Sequence, residues 1–211
     1  MGHVALHYGK PEEGELGAKL LSLLGFIETQ DLVLPGGHFY RFVVSPKHQE
    51  RGDGIIYLSA VPNAQRQLAE AVRVALKLDT PEEHPAVADM RAALLADPEY
   101  SFHIGILLES LQELEQIVIQ LQNDVKTDPK LRGRVRITFN RPRLGDADVD
   151  AKLDASPIFG QVGRYGYGRN GVQVFVETDI LVSGILNESL VIELDYVFPD
   201  RLNHILSVVE I

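Results

Sequence analysis

A chain of 211 residues with 45% hydrophobic and 24% charged residues can bury a core as one domain or two small ones, which excludes a disordered chain. A formal charge of −10 and a pI near 5.1 argue against a nucleic-acid partner, because phosphate binding needs clustered Lys and Arg. No stretch approaches the roughly 18 apolar residues of a membrane span, the N-terminus has no basic and apolar signal regions, and there are no cysteines; the expectation is a cytoplasmic protein without a membrane partner, in which any metal is held by His, Asp, Glu, Tyr or water.

In chain order, residues 2–8 read as a strand, and Pro11-Glu12-Glu13 opens a helix that runs through Leu24 and stops at Gly25, with the acids facing the helix dipole. Residues 26–34 and 38–44 read as a hairpin around Pro35-Gly36-Gly37, and residues 54–61 as a further strand, so the first module (1–62) has the order βαβββ. Residues 64–78 and 85–95 read as two helices on either side of Thr80-Pro81-Glu82-Glu83, a helical connector spanning 63–99. The strand-then-helix order returns at 102–108 and 111–121, and three strands follow at 135–139, 172–181 and 190–198, so the second module (100–211) is also βαβββ. It carries a polar, Gly-rich insertion at 141–170, read as a lid over a cavity mouth or a tolerated insertion.

Two of these strands open on a histidine, in His3-Val4-Ala5-Leu6 and His103-Ile104-Gly105-Ile106, and a third places an acid in an apolar run, Leu190-Val191-Ile192-Glu193-Leu194. Strand alternation sets His3 opposite Val4, Leu6 and Tyr8, and His103 opposite Phe102, Ile104 and Ile106. It likewise sets Glu193 opposite Leu190, Ile192 and Leu194, so all three polar side chains take the less apolar face. Two imidazoles and a carboxylate can hold a metal if the fold brings them together. Each has a plainer reading as well: a solvated terminal histidine, a satisfied strand histidine, a glutamate facing water.

His3-Val4-Ala5-Leu6 followed by Leu24-Gly25-Phe26 resembles the opening of a module in the vicinal oxygen chelate superfamily, the group of glyoxalases, extradiol dioxygenases and fosfomycin and bleomycin resistance proteins. Phe102-His103-Ile104 looks like the second module's opening, and Ile192-Glu193-Leu194 like its acid-bearing last strand. The resemblance implies an α+β fold, two βαβββ modules forming a curved mixed sheet around a cavity. It implies His3, His103 and Glu193 as ligands of a divalent metal (Fe, Mn, Zn or Ni), and a divalent-metal-dependent dioxygenase, lyase or isomerase acting on a small oxygenated, possibly aromatic substrate. The metal-free alternative of the same fold is a small-molecule binding or resistance protein. Pairing within the chain, or with a second copy as a homodimer, would close the cavity.

The sequence departs from that pattern in two places. In Gly54-Ile55-Ile56-Tyr57-Leu58-Ser59 the position that a glyoxalase would fill with an acid holds Tyr57, which makes a three-ligand site the better match and Tyr57 a candidate catalytic group. Residues 168–175 lack the histidine and tyrosine of ring-cleaving members, so proton transfer would fall to Tyr167 from the preceding loop, with Tyr165 and Arg169 contacting substrate, or to His38 or His48 from the first module. The plain reading of these loop residues is a solvated segment. Gly166-Tyr167-Gly168-Arg169-Asn170-Gly171 fits a dinucleotide fingerprint only in letters, since a β-rich run follows it. Asp146-Ala147-Asp148-Val149-Asp150 lacks the offsets of a calcium loop and reads as a polar turn.

Overall fold

The computed structural model describes residues 2–164 and 170–199. The chain is α+β with a mixed pattern of parallel and antiparallel strands, and it forms two compact units. Of the described residues, the first comprises 2–102 and 178–190; the second comprises 103–164, 170–177 and 191–199.

In the first unit, β1 (His3–Tyr8) is followed by α1 (Gly14–Leu23), β2 (Ile27–Leu34), β3 (Gly37–Val43), α2 (Pro46–Arg51) and β4 (Ile55–Ala60). The short α2, opened by Pro46 and closed by Gly52 in the left-handed region, is an element the sequence reading left unassigned. Because β1 and β4 pair in parallel (His3↔Ile55 to Tyr8↔Ala60), the chain needs a crossover, and α1 supplies it. Leu20 and Leu21 of α1 are buried with Leu6, Tyr8, Phe42, Ile56 and Leu58, each large side chain contributing about 1.5–3 kcal/mol. Gly17 permits the close approach: a Cβ there would stand 3.2 Å from Leu181 and 3.5 Å from both Leu58 and Tyr8.

The buried Tyr8 ties β1 to the start of β3. Its hydroxyl donates to the His38 carbonyl and accepts from the His38 N–H, both at 2.8 Å. Gly37 (φ +130°) is required there, since a Cβ would lie 2.5 Å from the same hydroxyl.

After β4 come α3 (Asn63–Leu76) and α4 (Pro85–Ala96), within two residues of the connector helices expected. They are joined by a charge clamp on Asp79. Arg73 Nη2 donates to its Oδ2 at 2.6 Å and Arg91 Nη2 to its Oδ1 at 3.1 Å, while Arg91 Nη1 reaches Glu83 at 2.8 Å.

In the second unit, β5 (His103–Leu107) leads to α5 (Leu111–Thr127), β6 (Val135–Asn140), α6 (Ala147–Asp154), β7 (Gly171–Ser183) and β8 (Glu188–Val197). α5 is capped by Ser110, whose hydroxyl accepts from the Glu113 N–H at 3.1 Å, and it buries Leu114, Val118 and Leu121 at i, i+4, i+7 spacing. β5 pairs in parallel with β8 (His103↔Val191 to Leu107↔Asp195), and β7 lies between β8 and β6. Each unit therefore places its first strand beside its last, then the third, then the second. β7 and β8 contribute to both units, for the far end of β7 pairs antiparallel with β1 at His7↔Val182 and Tyr8↔Leu181.

The described part of the insertion, 141–164, is packed into the second unit. Val149, Leu153 and Phe159 are buried, and the buried Arg141 guanidinium donates to the Phe159 carbonyl at 3.1 Å and pairs with Asp154. The acidic run caps α6: Asp146 accepts from the N–H groups of Asp148 and Val149. Burial pushes the Asp150 carboxyl up, but the Gly145 N–H and the Arg164 guanidinium outweigh it and hold it below the usual carboxylate range.

Two predictions follow from this bonding. Tyr8→Phe strands both His38 backbone groups and should cost about 1–3 kcal/mol in urea unfolding; an unchanged midpoint would show the hydroxyl contributes nothing. Asp79 is held below the usual carboxylate range by the Arg73 hydrogen bond and by Arg91. A depressed folded value contributes stability that is present above the unfolded value of about 4 and is lost as pH falls through the folded one. Asp79→Asn should therefore lower Tm slightly at pH 7 and leave it unchanged near pH 2, a gap that a pH series of melting curves measures.

Candidate metal centre

The register of the second unit builds the site. β5 and β8 run parallel with Gly105 opposite Glu193, and His103, two residues ahead of Gly105 on the same face, extends its imidazole toward the glutamate. His103 Nε2 lies 3.3 Å from Glu193 Oε2. Two donors bound to one ion at about 2.0–2.2 Å stand about 3–3.6 Å apart, so this separation suits a shared cation. Phe175 sits edge-on to the imidazole, 6.4 Å between centroids at 85°.

Glu193 is 5% exposed and is held from its other side. Gln173 Nε2 donates to Glu193 Oε1 at 2.5 Å, and Gln173 Oε1 accepts from Asn140 Nδ2 at 3.2 Å. One polar side chain from each of β6, β7, β8 and β5 thus forms a continuous row. Asp195, also buried, is near it: a Cβ built on Gly105 would stand 3.6 Å from both Asp195 Oδ2 and Glu193 Oε2.

The third donor was not anticipated. Glu99 lies in the 3-10 turn Pro98–Tyr100, whose start is fixed by Asp97 accepting from the Glu99 N–H at 3.0 Å. Four residues along the chain from His103, it brings a carboxylate beside the imidazole, and Glu99, His103 and Glu193 each offer a ligand atom within 4.8 Å of the others. Glu99 and His103 are half-buried and Glu193 is buried. The sequence signal was available in Glu99-Tyr100-Ser101-Phe102-His103, an acid four residues before a histidine, but only the turn makes that spacing local in space.

Of the ligands read from the sequence, the structure brings His103 and Glu193 together. His3 stands on β1 of the first unit, exposed, with its ring 5.4 Å from that of Tyr57, which in turn lies 5.5 Å from Phe39. The registers are equivalent: Ala5 faces Tyr57 as Gly105 faces Glu193, so His3 and Tyr57 occupy in the first unit the positions of His103 and Glu193 in the second. His38 bonds Asp31 at 2.9 Å and His48 pairs with Asp53 at 3.1 Å. Tyr165, Tyr167 and Arg169 lie outside the described residues.

A depression of about 570 Å³ is lined by Gln122, Val125, Lys126, Arg132, Val135 and Ile137 and shares no residue with the centre. A smaller one of about 220 Å³ in the first unit includes His38, Ser59 and Arg66.

No protein-family model matches the chain, and no curated protein does. Among solved structures, the chain is similar to one from Shewanella frigidimarina NCIMB 400 described as a "putative hydrolase", at 14% identity over 94% of this chain and 80% of that one. The TM-score of 0.22 gives that likeness no weight in the argument.

Gly105 is an exposed strand residue without a positive φ, and an added methyl would make ordinary contacts at 3.6 Å. Gly105→Ala should fold with stability equal to the parent's or above it by up to about 1 kcal/mol, read from urea unfolding. A clear loss of stability would mean that the two carboxylates cannot share the space over that position.

Proposed function

We propose that this chain is a divalent-metal-dependent protein of the vicinal oxygen chelate type, an enzyme acting on a small oxygenated substrate, with the ion held by His103, Glu193 and Glu99. The observation that carries the proposal is the convergence of an imidazole and a carboxylate on a strand pair with a second carboxylate from the 3-10 turn before it, over neighbours that supply a buried hydrogen-bonded support. The donor chemistry fits such an ion: the ligands are nitrogen and oxygen, which suits Mn, Fe, Zn or Ni, and the chain has no thiolate to favour softer metals. Three protein donors leave positions for two adjacent substrate oxygens, and a bound ion would supply Lewis-acid and template chemistry. The protein's own groups would fix the carboxylate and the ring and shield one side of the imidazole with Phe175.

The two βαβββ runs with the same strand order support placing the chain in that superfamily. The ligand set differs from the one the resemblance implies, with Glu99 added and His3 beside Tyr57. A second reading, metal-free binding of an aromatic small molecule, is favoured by the ring cluster His3, Tyr57 and Phe39 at the equivalent positions of the first unit, where no acid stands.

Calorimetric titration of untagged, chelator-stripped protein with Mn²⁺ and Zn²⁺ tests the proposal. One ion per chain is expected, with at least a tenfold loss of affinity in each of His103→Ala, Glu193→Gln and Glu99→Gln. No binding by the parent, or binding that the three substitutions leave untouched, would sink the metal assignment. Uptake of a catechol-like ligand by the stripped protein, lost in Tyr57→Ala, would favour the second reading.

A further inference from the structure

We infer that Gln173, oriented by Asn140, is a positioning residue that restricts Glu193 to one coordinating oxygen and so sets which class of ion the centre accepts; this rests on the metal assignment proposed above. The polarity of the row leaves little freedom. An ionised carboxylate only accepts hydrogen bonds, so Gln173 must turn its NH₂ toward Glu193, which leaves its carbonyl oxygen to be satisfied by the Asn140 NH₂ at 3.2 Å. With the amide turned over, two oxygens would meet at Glu193 and two NH₂ groups at Asn140. Asn140, Gln173 and Glu193 are 8%, 4% and 5% exposed, so water is poorly placed to rescue the wrong orientation.

The consequence falls on the carboxylate. Glu193 Oε1 accepts from the amide and Oε2 faces His103, so Oε2 is the oxygen presented toward the ion position. Calcium takes six to eight oxygens and commonly one carboxylate in bidentate fashion, whereas a first-row transition ion is satisfied by an imidazole and single carboxylate oxygens. By bonding Oε1, Gln173 disfavours the bidentate use of Glu193 that calcium would make. It also holds Oε2 at the distance from Nε2 that a small ion needs. The amide thus acts through Glu193 on the choice of ion.

The test compares Zn²⁺ and Ca²⁺ affinities of the full chain by calorimetry, with Co²⁺ absorption reporting geometry, in the parent, Gln173→Met and Asn140→Leu. Methionine keeps most of the volume and removes both amide bonds; leucine at 140 leaves the amide in place but unlocks its orientation, and it carries the test should Gln173→Met fail to fold. The expected result is a Zn²⁺ affinity lower by about 10- to 100-fold with Ca²⁺ binding equal or tighter, so that the Zn²⁺/Ca²⁺ ratio narrows and the Co²⁺ spectrum shifts. An unchanged ratio, or equal losses for both ions, would overturn the positioning role while leaving the metal assignment standing. A parent protein that binds neither Zn²⁺ nor Co²⁺ would overturn both.

Discussion

Two strands that lie side by side and parallel cannot be joined by a tight turn, and both βαβββ runs of this chain meet that constraint in the same way. The helix after the first strand carries the chain across, and the last strand returns beside the first. Everything at the candidate centre depends on that pairing. It sets Gly105 against Glu193 and leaves His103 two residues away on the same face, so an imidazole and a carboxylate separated by ninety positions in sequence come within 3.3 Å. A slip of one residue in that register would send Glu193 to the opposite face.

The row from Asn140 to His103 costs stability that an apolar core would not. Each amide or carboxylate taken from water without a partner costs on the order of 1–3 kcal/mol, and here the cost is offset only because each group satisfies the next. A set of well-packed aliphatic side chains in the same volume would be neutral or more stable. The row is therefore poorly explained by stability, and well explained by a need to hold one carboxylate in one orientation. The first unit makes the contrast: at the equivalent positions, with Tyr57 and His3, neighbouring rings replace the hydrogen-bonded support.

Element order was largely legible in the sequence because apolar periodicity, Pro at helix starts and Gly at helix ends act locally. The strands and helices of both βαβββ runs fall within a few residues of expectation, apart from α5, which runs six residues further, to Thr127. Two of the three donors of the candidate centre were legible too, since alternation put His103 and Glu193 on matching faces. Glu99 escaped because a 3-10 turn does not announce itself through periodicity, and its use as a donor depends on where the turn points it. The packing of the 141–164 segment was not legible for a different reason. Its charged residues are what periodicity counts, yet Asp146 is spent as a cap and Arg141 is buried among carbonyls, while the few apolar residues Val149, Leu153 and Phe159 anchor it.

The sharing of β7 and β8 between the two units bears on how the chain comes off the ribosome. The antiparallel neighbour of β1, Leu181 and Val182, is synthesised more than 170 residues after it. At typical synthesis rates of about 5–20 residues per second, the backbone edge of β1 stays unpaired for roughly ten seconds or more. An open edge of that kind is a template for pairing with other nascent chains. His7, which faces Ser59 across β1 and β4, puts a polar side chain on that strand, and the first unit can reach its final hydrogen-bond count only after Leu181 and Val182 have been made.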